Sequence, residues 1–214
     1  MVACYTPSME SLACQHLSSV DPQMLHLIES IGALDFAPRS RRSLFESLVS
    51  AVAHQQLHAT AAQSILRRFC ALFPGKRFPI AAEVLRKRHA TLRKVGFSEA
   101  KALAIRDIAQ KTVDGVVPSA RLIVTLSDDE IIERLTQIRG VGRWTVEMLL
   151  IFQLGRPDVF PADDFGVRLG YKVVFGAHRE LKPKQFREYA ERWAPYRTYA
   201  ALYFWRAADR AKGE

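Results

Sequence analysis

The stretch IRGVGRWTVEMLLIFQLGRPDVFPADDFGVR, residues 138–168, places two unusual features in one short window. Gly140 and Gly142 bracket a single valine where a long apolar helical pattern begins, and two aspartates stand side by side at Asp163 and Asp164. Two glycines in this spacing resemble the start of a dinucleotide-binding fingerprint. No strand precedes them, however, and Thr145 stands where the third glycine belongs, so that reading fails. The segment before them, SDDEIIERLTQI, is itself helical in period. The unit is therefore helix, tight glycine hairpin, helix. Glycines permit a positive φ and let another backbone come close. The second helix presents unpaired N–H groups and the positive end of its dipole, a seat for one phosphate. A plain corner between two helices, with no ligand, has the same local pattern.

Working outward, nearly every periodic segment repeats at 3.6 residues and none alternates as a strand does. Met24 to Ile31 forms a short helix after the turn-prone Asp21-Pro22. SLFESLVSAVAHQQL puts Leu44, Phe45, Leu48, Val49, Val52 and Ala53 on one face. ATAAQSILRRFCALF follows and ends at Pro74-Gly75, and SEAKALAIRDIAQK opens at Ser98. Ser127, followed by acids, is the clearest N-cap. Beyond the hairpin come DDFGVRLGYKVVF, PKQFREYAERW and PYRTYAALYFWRAADR. The expected fold is all-α: one domain over residues 1–214, with two helical lobes flanking a cleft and the helix-hairpin-helix unit at about 128–153.

Composition narrows the partners. Lys plus Arg number 31 against 22 Asp plus Glu, a formal net charge of +9 that favours a polyanion. Three cysteines (4, 14 and 70) without a CxxC pair fit neither a disulfide framework nor an all-cysteine iron–sulfur cluster. The histidines (16, 26, 54, 58, 89 and 178) supply no HExxH, and zinc is not expected. No apolar run is long enough for a membrane span or a signal peptide, so a cytoplasmic or nuclear protein is expected.

LTQIRGVGRWTVEMLL resembles the helix-hairpin-helix of the DNA glycosylase superfamily in which a Gly/Pro-rich loop and an aspartate follow the hairpin. FESLVSAVAHQQL, LRKVGFSEAKALAIRDIA, IRGVGRWTVEM, GRPDVFPADDFGVR and APYRTYAALYFWR stand in the family's order across roughly residues 40–206. The similarity is closest to the 3-methyladenine DNA glycosylase II (AlkA-like) branch, in a compact form without the N-terminal β-rich domain. It implies a monomer that acts on double-stranded DNA containing alkylated bases, away from any membrane. The reaction is hydrolysis of the N-glycosidic bond, which leaves an abasic site for base-excision repair.

The resemblance assigns Asp164 as the catalytic carboxylate that meets positive charge growing on the deoxyribose, and leaves Asp163 as the helix cap. Relatives that also cut the strand carry a nucleophilic lysine at the position of Trp144; an indole forms no Schiff base, so base release without strand cutting is implied. Trp144 and Tyr196 then line the base pocket, where a cationic base gains cation–π attraction. Trp193, Tyr199, Tyr203 and Trp205 read as packing. Gly140, Val141, Gly142 and Arg143 form the DNA-binding hairpin. Gln56 is the wedge that replaces the extruded nucleotide, Leu57 the next candidate, and His58 a minor-groove or phosphate contact. The runs at 39–42 and 86–88 supply long-range attraction. No cofactor is required; a monovalent cation on the backbone carbonyls of Thr136, Ile138 and Val141 is the one ion implied. His54 and His58 depart from the family's usual small residue and serine, which leaves open a catalytically inactive relative that binds abasic or distorted DNA. A glycosylase for other damaged bases is the other alternative; such relatives carry the hairpin lysine or an iron–sulfur cluster.

Overall fold

In the computed structural model, which describes residues 8–34, 36–38, 42–176 and 181–213, every regular element is helical. The chain divides into two compact units, Met1–Pro38 with Leu150–Glu214, and Arg39–Leu149 between them in sequence. Of the features singled out above, Cys4, His178, Arg39 and Arg41 lie outside the described residues.

The discontinuous unit opens with α1 (Met9–Val20) and α2 (Pro22–Ile31). Asp21 closes the first helix and caps the second, its Oδ1 accepting the Gln23 N–H at 3.0 Å, with Pro22 at the favoured first helical position. The inserted unit holds α3 (Leu44–His54), α4 (Ala59–Ala71), α5 (Ala81–Arg86), α6 (His89–Lys94), α7 (Glu99–Val113), α8 (Ala120–Ile123) and α9 (Asp128–Thr136). The chain crosses back within α10 (Arg143–Phe152) and finishes with α11 (Phe165–Phe175), α12 (Pro183–Ala190), a 3₁₀ turn (Glu191–Trp193) and α13 (Arg197–Lys212). The longer helices follow the sequence reading; α1 and the short α5, α6 and α8 carry too little periodicity to stand out.

In the inserted unit all six stripe residues of α3 are buried, and the helix packs on α4 and α7. Phe69 centres a cluster of edge-on phenylalanines with Phe73, Phe78 and Phe97, at 5.5–5.8 Å between ring centres. The same helix buries a charge: Glu46 is 6% exposed. Arg77 donates to its carboxylate at 2.7 Å and Arg42 stands at 3.6 Å, the pairing a buried carboxylate requires.

In the other unit α11 lies against α13. Gly170 explains how closely: a Cβ there would fall 1.8 Å from the Phe204 carbonyl oxygen. Its core is aromatic, with Trp193 and Tyr203 fully buried. Trp193 Nε1 donates to Asp21 at 3.1 Å, and the Tyr203 hydroxyl donates to the Gly32 carbonyl at 3.1 Å, so neither polar tip is orphaned.

Candidate active site

In the inserted unit α3 ends at His54, and Gln55 to His58 form a short link to α4. Gln56, Leu57 and His58 are all exposed. Gln56 has a φ of +54°, the one left-handed φ outside glycine among the described residues. An L residue pays about 1–2 kcal/mol for that conformation, and such outliers gather at functional tips. The preceding glutamine is engaged elsewhere: Gln55 Nε2 donates to the Gly140 carbonyl at 2.9 Å. Lys101 on α7 donates to the carbonyls of Ala53 (2.9 Å) and Gln55 (2.7 Å), and burial pushes its ammonium below the usual lysine pKa.

His54 and His58 stand four residues apart, a zinc spacing only on an unbroken helix, and the helix breaks between them. The His54 ring turns back, its Nδ1 within 2.8 Å of the Ser50 carbonyl. Among the described residues no group of three or more His, Cys, Asp or Glu could hold a metal ion.

The hairpin follows α9, where Ser127 is the N-cap as expected and Glu130 completes a capping box with it. Gly140 has a φ of +76° and a Cβ there would meet Ala104 at 3.2 Å, so this position requires glycine. Gly142 differs: its φ is ordinary and a Cβ would meet nothing within 4 Å. Its carbonyl accepts the Val146 N–H at the start of α10, a place where glycine is preferred to alanine, and the space beside it is open. Val141 and Ile138 are buried, and the Val141 N–H donates to the Ile138 carbonyl at 3.1 Å. Val141 thus anchors the turn through its buried side chain and its N–H. Arg143 Nε donates to the buried Glu147 at 2.9 Å, so the arginine is held along its own helix. Trp144, in the first turn of α10, is 47% exposed, which a core tryptophan is not. Of the basic residues at 86–88, Arg86 and Arg88 are exposed and Lys87 lies over the Phe73 ring.

In the other unit the acid pair separates, and the capping role falls on the opposite member from the one expected. Asp164 caps α11: its Oδ1 accepts the Val167 N–H at 2.9 Å and the Trp205 indole N–H at 2.8 Å. Asp163 is exposed and pairs with Arg187 at 2.9 Å. The helix starts one residue later than the periodic pattern suggested, and that residue decides which carboxylate caps it. Gly166 makes the Trp205 contact possible, because a Cβ there would lie 2.6 Å from the indole Cδ1. The loop that delivers Asp164 is also tied down. Arg197 holds Asp158 through Nε (2.8 Å) and Nη2 (2.9 Å), and the buried Thr198 hydroxyl accepts from Val159 N–H while donating to the Arg156 carbonyl.

From Trp205 a row of rings continues through Phe152 (5.6 Å), Phe36 (6.0 Å), Tyr199 (6.2 Å) and Tyr196 (6.4 Å) to His16 (5.4 Å). Tyr196 lies in this row, with its ring packed on Tyr199 and His16. Trp205, expected to be packing, contacts the carboxylate; Phe36 and Phe152, not anticipated at all, bridge the row. Phe165, beside Asp164, is 75% exposed. Burial pushes the Tyr199 hydroxyl pKa up, with Glu10 adding to the effect.

A glycine hairpin followed by a capping aspartate has a counterpart among known families: a model of the HhH-GPD superfamily of base excision DNA repair proteins matches residues 49–195. The chain belongs to this superfamily. The HhH-GPD match contains the Gln56 tip, the hairpin and Asp164, and stops before Tyr196, Tyr199 and Trp205. Over 199 residues this HhH-GPD chain is 39% identical to DNA-3-methyladenine glycosylase 1 of Schizosaccharomyces pombe, covering 92% of this chain and 86% of that protein. Two solved HhH-GPD structures are similar. One is the S. pombe 3-methyladenine DNA glycosylase in complex with abasic DNA (TM-score 0.77, 39% identity, 91% of this chain and 95% of that one). The other is DNA-3-methyladenine glycosidase from Bacillus halodurans (TM-score 0.86, 31% identity, 97% and 94%). Among the described residues no helix is long and apolar enough to cross a membrane.

Proposed function

We propose that the chain is a monofunctional DNA glycosylase that removes alkylated bases of the 3-methyladenine and 7-methylguanine type from duplex DNA, starting base-excision repair. The observation that carries this is the Asp164 carboxylate, fixed by the α11 cap and the Trp205 indole beside a row of aromatic rings. Its chain is 39% identical to a named 3-methyladenine glycosylase. The enzyme works wherever the genome is held, the cytoplasm of a bacterium or the nucleus of a eukaryote.

Methylation at N3 or N7 gives a purine a positive charge, so the base leaves with the electrons of the glycosidic bond. Positive charge then grows on the deoxyribose, and an anion held in place lowers that transition state. Asp164 supplies the anion and orients the water whose oxygen bonds to C1′, and its carboxylate accepts the proton that the water gives up. Both donors that hold Asp164 are attached to the protein rather than to solvent, so the carboxylate does not reorient when charge develops. The exposed Trp144 offers a π face to the cationic base, worth about 0.5–2 kcal/mol. Trp144 carries no amine and forms no Schiff base, so the product is an intact abasic site. Gln56 enters the stack where the nucleotide leaves, with Leu57 and His58 beside it. The backbone at Gly142 receives a phosphate, its lack of a Cβ leaving the approach open.

A monovalent cation at the hairpin belongs to the same proposal. Thr136 ends α9, where carbonyls lack helical partners, and the Ile138 oxygen keeps a second lone pair after accepting the Val141 N–H. The decisive experiment incubates the protein with methylated duplex DNA and resolves the released bases. Free 3-methyladenine or 7-methylguanine is expected, with no strand cleavage and no borohydride-trapped adduct. Absence of released base overturns the proposal.

A further inference from the structure

The sequence sets two glutamines side by side, and the structure separates their tasks. Gln56 projects from the tip in a left-handed conformation, while Gln55 turns its amide to the Gly140 carbonyl of the hairpin at 2.9 Å. The end of α3 leaves carbonyls that no helical N–H reaches. The Lys101 ammonium takes those of Ala53 and Gln55, at 2.9 and 2.7 Å, where a cation also suits the negative end of the helix. On the far side of the tip the Leu57 N–H donates to the His54 carbonyl at 3.2 Å. The backbone is thus pinned on both sides of a residue whose own conformation is disfavoured.

We infer that Lys101 and Gln55 are positioning residues that pre-form the DNA-distorting tip and tie it to the hairpin, so that the hairpin's seat on a phosphate sets where Gln56 meets the base stack. This rests on the assignment of Gln56 as the wedge. A tip already held in its working shape avoids the entropy loss of ordering a loop on DNA. The Lys101 bonds hold its backbone, and the Gln55 bond holds its register against Gly140. Neither side chain touches the reacting atoms; both act through Gln56.

The test uses a duplex in which 2-aminopurine lies beside a stable tetrahydrofuran abasic site, read at saturating protein, together with single-turnover base release from methylated duplex. Gln55→Ala and Lys101→Met are expected to lower both the saturating fluorescence and the release rate by about tenfold or more. Affinity for undamaged duplex should stay within about twofold, since phosphate contacts dominate it. Lys101→Arg, which keeps a cation with several donors, should restore most of the signal. In a Gln56→Ala background, Lys101→Met should add little, because two changes in one device are not additive. Full saturating fluorescence in both brace variants, with the signal lost in Gln56→Ala, overturns the brace and keeps the wedge. Full fluorescence in Gln56→Ala overturns both. A lower melting temperature with unchanged saturating fluorescence makes the two residues merely stabilising and also overturns the inference. If Lys101→Met does not fold, Gln55→Ala decides alone.

Discussion

The hairpin of the Arg39–Leu149 unit and the carboxylate that heads α11 in the other unit are held in opposite ways. At the hairpin the working groups are backbone, shaped by Gly140 and left open by Gly142, and their supports lie on the buried side chains of Ile138 and Val141. At Asp164 the working group is a side chain, and its support is an indole from 41 residues further along, admitted by the missing Cβ of Gly166. In the proposed function the hairpin meets many DNA sequences, for which peptide groups at the right spacing suffice. A carboxylate that meets one developing charge needs an orientation, and here two donors converge on a single oxygen to fix it.

This contrast can be broken by substitutions that touch only one side. Among the supporting residues the largest effect is expected at Gly166→Val, where the new side chain meets the Trp205 indole. Base release should fall by about a hundredfold while undamaged-duplex affinity holds, since a misplaced group can cost that much. Trp205→Phe keeps a ring and loses the N–H, so a fall of about tenfold or more is expected from one lost bond to a charged acceptor. Equal losses of binding and release in both variants would contradict separate supports.

The hairpin side sharpens the comparison through its two glycines. Gly140→Ala forces an alanine to a φ of +76° and against Ala104, so thermal unfolding should show a loss of about 1–2 kcal/mol. Gly142→Ala meets nothing inside the protein, so stability should fall by no more than about 1 kcal/mol, the cost of alanine at a helix N-cap, while duplex affinity falls. An alanine at 142 that binds DNA as well as the parent removes the phosphate seat. The smallest effect belongs to Asp163→Asn. It breaks a half-exposed pair with Arg187, for which well under about 1 kcal/mol and no change in release rate are expected.

What could be read from the sequence follows the same division. The hairpin and the cap of the helix before it are local, and glycine spacing and Ser127 announce them within a few residues, whereas the Gln56 loop carries no such marker and is implied by the family resemblance alone. The support of Asp164 is not local. Trp205 sits in a stripe of aromatics at helical spacing, and such a stripe looks the same whether a ring fills the core or points a polar edge at a carboxylate. The signal available was Gly166 and Gly170, one turn apart on α11, which mark close approach of another helix. That Asp164 rather than Asp163 caps α11 turned on a one-residue helix boundary, finer than periodicity resolves. Phe36 and Phe152 meet only because the fold joins the two ends of the chain in one unit, and no spacing between them carries that information.

The central claim is that one fixed carboxylate, Asp164, drives base release without holding the DNA. The direct measurement is single-turnover release of 3-methyladenine from methylated duplex by the parent and by Asp164→Asn, with abasic-duplex affinity measured in parallel. The variant keeps the Val167 cap and loses the negative charge. A loss of release of about a hundredfold or more, with affinity unchanged, is the expected result. Release at the parental rate would show that the charge at the head of α11 is not what cleaves the bond.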